Sequence, residues 1–157
     1  MSDIRIGHAV PDFSAAATGG QTLSLSQFHG QPVVLYFYPK DNTPGCTQES
    51  QDFRDHYAEF QALNAVILGI SRDSVKSHDG FKTKHCFPFE LLSDADEALC
   101  GLFDVIKPKN MYGKQVRGIE RSTFLIGRDG KLAAEWRKVK VEGHWEAVLA
   151  AVKSLSK

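Results

Sequence analysis

One cysteine in this chain stands where a reactive sulfur can be made. The run Val33-Val34-Leu35-Tyr36-Phe37-Tyr38 is continuously apolar and feeds into Pro39-Lys40-Asp41-Asn42-Thr43-Pro44-Gly45-Cys46. Pro44 suits the first position of a helix, where its missing N–H is no loss, and Thr43 suits the N-cap before it. Cys46 then falls near the third helical position, where unpaired backbone N–H groups and the positive end of the helix dipole converge. Such a field favours thiolate over thiol, and the thiolate is the nucleophilic form of cysteine. The inert alternative is a small buried hydrophobe. Apolar neighbours would support it, but Thr43, Gly45, Thr47 and Gln48 are polar or minimal, which favours the reactive reading.

The remaining cysteines and histidines mainly exclude. Cys46, Cys86 and Cys100 form no paired ligand knuckle, so no metal is expected. A dithiol exchanger would carry Cys-x-x-Cys at the helix start, and position 49 is Glu49. No histidine lies near Cys46 in sequence to serve as the base of a cysteine hydrolase; His8, His78 and His144 read as surface or packing residues. Cys100, beside Leu99 and one turn before Phe103, reads as core packing.

The elements that must position Cys46 follow from periodicity. Val33 to Tyr38 reads as a strand buried on both faces, and 65–71 as a second. Between them, Pro44 to about Leu63 carries Phe53, Tyr57 and Phe60 at helical spacing. Thr22 to Leu25 alternates as a short strand, Ser74 to His85 is a helix weakened by Gly80, and Phe87 to Leu92 is a third buried strand. Asp94 with Glu97 three residues later predicts an N-cap and N3 pair opening a short helix through Phe103. Lys107 to Gly118 reads as a long loop. Ser122–Ile126 and Leu132–Trp136 flank Asp129-Gly130 as a hairpin, and Trp145, Val148, Leu149, Val152 and Leu155 make a closing amphipathic helix. No linker or repeat interrupts this order, so residues 1–157 are expected to form a single domain. The class is α/β with a mixed central sheet flanked by helices, and a thioredoxin-like fold is the economical match.

Lys+Arg and Asp+Glu balance at 19 each, which leaves no electrostatic footprint for nucleic acid or an anionic membrane. The cluster Arg137-Lys138-Val139-Lys140 reads as a solvated strand face. With no secretory signal, no membrane-length apolar stretch and an odd number of cysteines, the expectation is a cytoplasmic protein without a disulfide framework.

Pro39-x-x-x-Thr43-x-x-Cys46 matches the Pro-x-x-x-Thr/Ser-x-x-Cys motif of the peroxiredoxins. The fuller stretch from Tyr38 to Thr47 resembles the bacterioferritin comigratory protein, or Q-type, branch, and Glu120-Arg121-Ser122-Thr123-Phe124-Leu125-Ile126 looks like its arginine strand. The resemblance implies a thiol peroxidase for hydrogen peroxide and organic hydroperoxides, with no cofactor. Cys46 would attack the peroxide and become a sulfenic acid. Thr43, Gly45, the Cys46 amide and Arg121 would hold the substrate, with Arg121 also keeping the sulfur ionised. Pro39 would shield it from water, and Glu49 would support. Taken singly, Thr43 is only an N-cap, Arg121 a surface residue and Pro39 a strand end; jointly, at this spacing, those readings fail.

The same resemblance leaves the second half of the cycle open. Gln51 stands where many members carry a resolving cysteine, and Lys82 where others do. Cys86, one turn beyond Lys82, is the candidate resolver, although reaching Cys46 would require both helices to open locally. Direct attack by an external thiol is the alternative. The resemblance further implies reduction by thioredoxin or a similar small thiol protein, and a monomer. From another class, a non-catalytic interaction domain of the same fold stays open.

Overall fold

A computed structural model of the chain describes residues 4–155, and its centre is a seven-stranded mixed sheet. The strands are Ser14–Ala17 (β1), Gln21–Ser24 (β2), Val33–Phe37 (β3), Val66–Ser71 (β4) and Glu90–Ser93 (β5). Ile106–Met111 (β6) and Lys114–Ile119 (β7) form a separate ribbon, and Ser122–Ile126 (β8) and Leu132–Trp136 (β9) complete the set. Their order across the main sheet is β2-β1-β5-β4-β3-β8-β9. The three central strands, β3 to β5, are parallel, and the outer pairings are antiparallel.

Helices explain why the central strands are apolar on both faces. Pro44–Asp55 (α1), Tyr57–Ala62 (α2), Val75–His85 (α3) and His144–Ser154 (α5) cover one side, and the short Ala98–Leu102 (α4) the other. Successive β3 residues point to opposite faces. Val33, Leu35 and Phe37 enter a core with Ile70, Phe103 and Phe124, whereas Val34, Tyr36 and Tyr38 enter one with Phe53, Phe60, Phe81 and Val148. Glycine is required at Gly69, because a Cβ there would stand 2.7 Å from both Tyr36 and Leu91.

The structure departs from the sequence reading at five places. The long helix expected from Pro44 to Leu63 breaks at His56, whose ring stacks on Trp145 with centroids 3.4 Å apart. The expected loop from Lys107 to Gly118 is instead the β6–β7 hairpin. Its turn residues Tyr112 and Gly113 take φ of 53° and 78°, the left-handed pair that suits a tight hairpin. Pro108 is tolerated because a two-stranded ribbon has only edges. Asp94 and Glu97 do not form the expected cap pair. Glu97 is itself the N-cap residue of α4 in a left-handed conformation, and the Asp94 carboxylate accepts the Leu99 and Cys100 amides at 2.9 and 2.7 Å. Strand β1 gave no signal, since three of its four residues are alanine. Arg137, expected on a solvated strand face, follows the end of β9 and turns back to donate to the Asp104 and Phe103 carbonyls at 2.8 and 2.9 Å.

Candidate active site

Cys46 is the third residue of α1, as its neighbours foretold: Thr43 has the extended N-cap backbone and Pro44 opens the helix. The Thr43 hydroxyl, however, does not cap. It donates to the Lys40 carbonyl at 2.8 Å, which leaves the first-turn amides without a side-chain partner. Pro39 lies partly buried in the connection between β3 and α1. That connection is anchored beneath. Tyr38 donates to Asp41 Oδ1 at 2.6 Å, while Ser77 and the His78 Nδ1 meet Asp41 Oδ2 at 2.8 and 2.7 Å. Asp73 accepts the Asp41 amide at 2.9 Å and the Ser71 hydroxyl at 2.6 Å, and His78 Nε2 meets the Leu92 carbonyl at 2.9 Å.

Asp41, Asp73 and His78 converge closely enough to suggest metal ligands, with one donor atom from each within 4.8 Å of the others. Their polar atoms are already shared among Tyr38, Ser71, Ser77 and Leu92, so the cluster is a hydrogen-bonded anchor for the loop. Sequence reasoning missed these roles. His78 read as a surface or packing residue, and nothing in its spacing announces that it sits under Asp41, 37 residues away in the chain.

Arg121 arrives from β8, which flanks β3 on the side opposite β4. Ser122, the first residue of β8, pairs with Phe37, the last of β3, so Arg121 emerges at the end of β3 from which α1 starts. Its guanidinium donates through Nη1 to Glu49 Oε1 at 2.7 Å and through Nη2 to Cys46 Sγ at 3.3 Å. Gly45 clears the way, since a Cβ there would stand 3.1 Å from Nη2. Cys46 is only 1% exposed. Burial alone would fit the inert reading; the arginine at the sulfur does not. Burial works against the Arg121 charge, but Glu49 and Cys46 outweigh it and hold its pKa above the ordinary value.

Glu49 is 1% exposed, and its Oε2 has no hydrogen-bond partner among the described residues. Burial pushes its carboxyl up to about 7, against the pull of Arg121. His144, bonded to Thr123 at 2.7 Å, is pushed down to about 4 by burial, with Arg121 adding to the shift. Cys100 behaves as expected of core packing: it is buried, and burial followed by the Asp94 carboxylate pushes its thiol well up.

The Glu49 and His144 shifts have opposite consequences for stability. Glu49 holds its proton more tightly folded than unfolded, so its contribution is complete below about pH 4.5 and is lost as pH rises through about 7. His144 contributes fully above about pH 6.5, and that contribution is lost as pH falls through about 4. Each is worth about 3 kcal/mol at full extent, and over the shared window the two slopes oppose. Glu49→Gln is therefore expected to lose stability on acidification from pH 7 to 4.5, and His144→Gln to gain it. Denaturant melts at three pH values check this, and parallel profiles for the two variants would contradict it.

Residues 6–135 match the AhpC/TSA family model. Peroxiredoxin Bcp of Xanthomonas campestris is 58% identical over 146 residues, covering 93% of this chain and 91% of that protein. The chain belongs to the AhpC/TSA peroxiredoxins. Within them it falls in the Bcp, or Q-type, branch, and Peroxiredoxin Bcp of Bacillus subtilis is 50% identical over 98% of both chains. A solved structure of the Xanthomonas bacterioferritin comigratory protein superposes with a TM-score of 0.91 at 54% identity, covering all of both chains. It comes from work on that protein's alkyl peroxide reduction activity through trapped intermediate and ligand complexes. The thioredoxin-like fold is thus the fold of this peroxiredoxin, and its class is peroxidase, which sets aside the non-catalytic module. No described helix is long and apolar enough to cross a membrane.

Proposed function

We propose that this peroxiredoxin reduces hydrogen peroxide and alkyl hydroperoxides with Cys46 as nucleophile. One observation carries the assignment: Arg121 donates to the Cys46 sulfur while Glu49 holds its other terminal nitrogen. A guanidinium so fixed stabilises charge on the sulfur before attack and on the departing oxygen during it. The Thr43 hydroxyl already donates its hydrogen bond to the Lys40 carbonyl. Toward a peroxide it is therefore an acceptor, and it orients the terminal O–H. The uncapped Cys46 amide supplies a donor. Sulfur bonds to the terminal oxygen as the O–O bond breaks, giving Cys46 sulfenic acid and an alkoxide or hydroxide, which takes a proton from solvent as it leaves. Gly45 admits the substrate and Pro39 screens the sulfur from water.

For the second half-reaction we favour Cys86. It is exposed and occupies the left-handed position that ends α3, where glycine is usual, with φ 55°. That conformation carries strain of about 1 kcal/mol in a non-glycine residue, which is released when the helix end opens. The end of α3 rests on α1: Gln51 contacts the His85 Nδ1 at 3.3 Å, and Arg54 donates to the His85 carbonyl at 2.9 Å. Cys46 to Arg54 is roughly 12 Å along the helix axis, beyond the ~7 Å reach of a disulfide, so both helix ends must unwind. The Cys86 thiol then condenses with the sulfenic acid to a disulfide and water. Thioredoxin or a similar small thiol protein supplies the two electrons that reopen it, and the protein works as a monomer.

The test is intact mass after one equivalent of peroxide, on wild type and Cys86→Ser. A loss of two hydrogens in wild type only, mapped to Cys46 and Cys86, is expected; an oxygen adduct on Cys46 in both would transfer resolution to an external thiol. Gly80 in α3 has open space around its Cα. Gly80→Ala stiffens the helix by about 1 kcal/mol, so the disulfide is expected to form about fivefold more slowly with sulfenic acid formation unchanged.

A further inference from the structure

The β6–β7 hairpin, which ends two residues before Arg121, brings a second cation to the site. We propose that Lys109 receives an anionic group of the substrate, which makes hydroperoxides bearing a carboxylate preferred over neutral ones. The inference rests on the peroxidase reading above and concerns which peroxides that site prefers.

Three observations carry it. First, the Lys109 side chain lies flat on Gly118: a Cβ there would meet its Cδ, Cε and Nζ at 3.2, 3.3 and 3.4 Å. Glycine gives that floor, and a side chain at position 118 would lift the lysine off it by a few tenths of an ångström. The ammonium is thereby laid back along β7 toward Glu120 and Arg121 rather than out along the hairpin.

Second, the carboxylates of Glu97 and Glu49 are taken, and Glu120, toward which the ammonium is laid, forms no ion pair with it among the described residues. Glu97 accepts from Arg72 at 2.9 Å and from Arg117 at 2.9 and 3.1 Å, and Glu49 is held by Arg121. Lys107, on the same hairpin, is paired with Asp104. Lys109 is partly buried and has no ion-pair partner among the described residues. Burial, with Arg121 and Arg72 nearby, lowers its pKa, while Cys46 and Glu120 act in the opposite direction. It therefore shares the electrostatic neighbourhood of the sulfur.

Third, the face that presents Lys109 offers an apolar contact. Lys109 pairs directly with Val116 across the hairpin, so the two share one face, and Val116 is 39% exposed. An organic hydroperoxide with an apolar body and a terminal carboxylate meets both features while its peroxide group reaches Cys46. Hydrogen peroxide is too small to use either.

The experiment compares cumene hydroperoxide with its para-carboxylate, which has the same reacting centre and differs by one charge. The readout is the ratio of the two kcat/KM values in wild type, Lys109→Gln and Lys109→Arg. Wild type should prefer the carboxylate at low salt. The ratio should fall about fivefold in Lys109→Gln, the size of one partly exposed ion pair, and recover in Lys109→Arg. It should also shrink in wild type toward 0.5 M salt, as screening requires. A ratio unchanged by Lys109→Gln overturns the proposal, whatever happens to the absolute rates. Failure of wild type to consume either peroxide would instead defeat the peroxidase reading itself.

Discussion

Cys46→Ser is expected to abolish peroxide turnover while leaving the fold in place. The exchange replaces one atom at a site that is 1% exposed and packed in the core cluster under α1. Arg121 keeps an acceptor at that position, so the stability change should stay within about 1–2 kcal/mol. The chemistry has no such tolerance. A serine hydroxyl is a weak nucleophile without a paired base, and it offers no sulfur to be oxidised in place of the peroxide. The loss in kcat/KM should be at least about 10³-fold. A thioredoxin-coupled assay, run beside a melting curve, separates the two effects. Saturable activity above a hundredth of wild type in a folded Cys46→Ser protein would mean that another group performs the attack.

Cys46 was legible in the sequence because its position depends on local rules. An apolar run, a turn, a threonine at the N-cap position and a proline at the first helical position place a cysteine in the first turn without tertiary information, and α1 begins at Pro44 as those rules require. The buried central strands were equally legible, since a strand covered on both faces has no reason to alternate. Contacts across the chain were not. Arg121 was assigned by resemblance, and only the pairing of Phe37 with Ser122 explains how it reaches a residue 75 positions away. The Asp41–His78 anchor left no trace, because a buried polar pair looks like any other aspartate and histidine until the fold joins them. The β6–β7 hairpin was lost for a local reason. Its proline, glycines and lysines resemble loop composition, and only its base, at Ile106 and Ile119, meets the core, so nothing imposes alternation on the rest of its strands. The element read least well thus carries Lys109, and loop-like composition concealed a structured rim of the site.

Arg121→Met is expected to lower the rate of Cys46 oxidation by about 10² to 10³ at neutral pH, the scale of removing a charged donor from an oxyanion site. Methionine retains the apolar stem but neither terminal nitrogen. The sulfur loses its 3.3 Å donor, and Glu49 loses its 2.7 Å partner in the same step. Arg121→Lys should recover little. A single ammonium cannot span a carboxylate and a sulfur that the planar fork serves together. The double role also predicts a pH signature. Burial already pushes Glu49 up to about 7 with the arginine present, and without it nothing opposes burial. The carboxyl in Arg121→Met should therefore keep its proton to higher pH than in wild type, and the variant should be least stable relative to wild type where wild type carries the ionised pair, above pH 7. Stopped-flow oxidation of Cys46 gives the rate, and denaturant melts at pH 6 and 8 give the stability difference. A rate within tenfold of wild type would remove Arg121 from the chemistry. An equal stability loss at both pH values would mean that it does not hold Glu49 in charge.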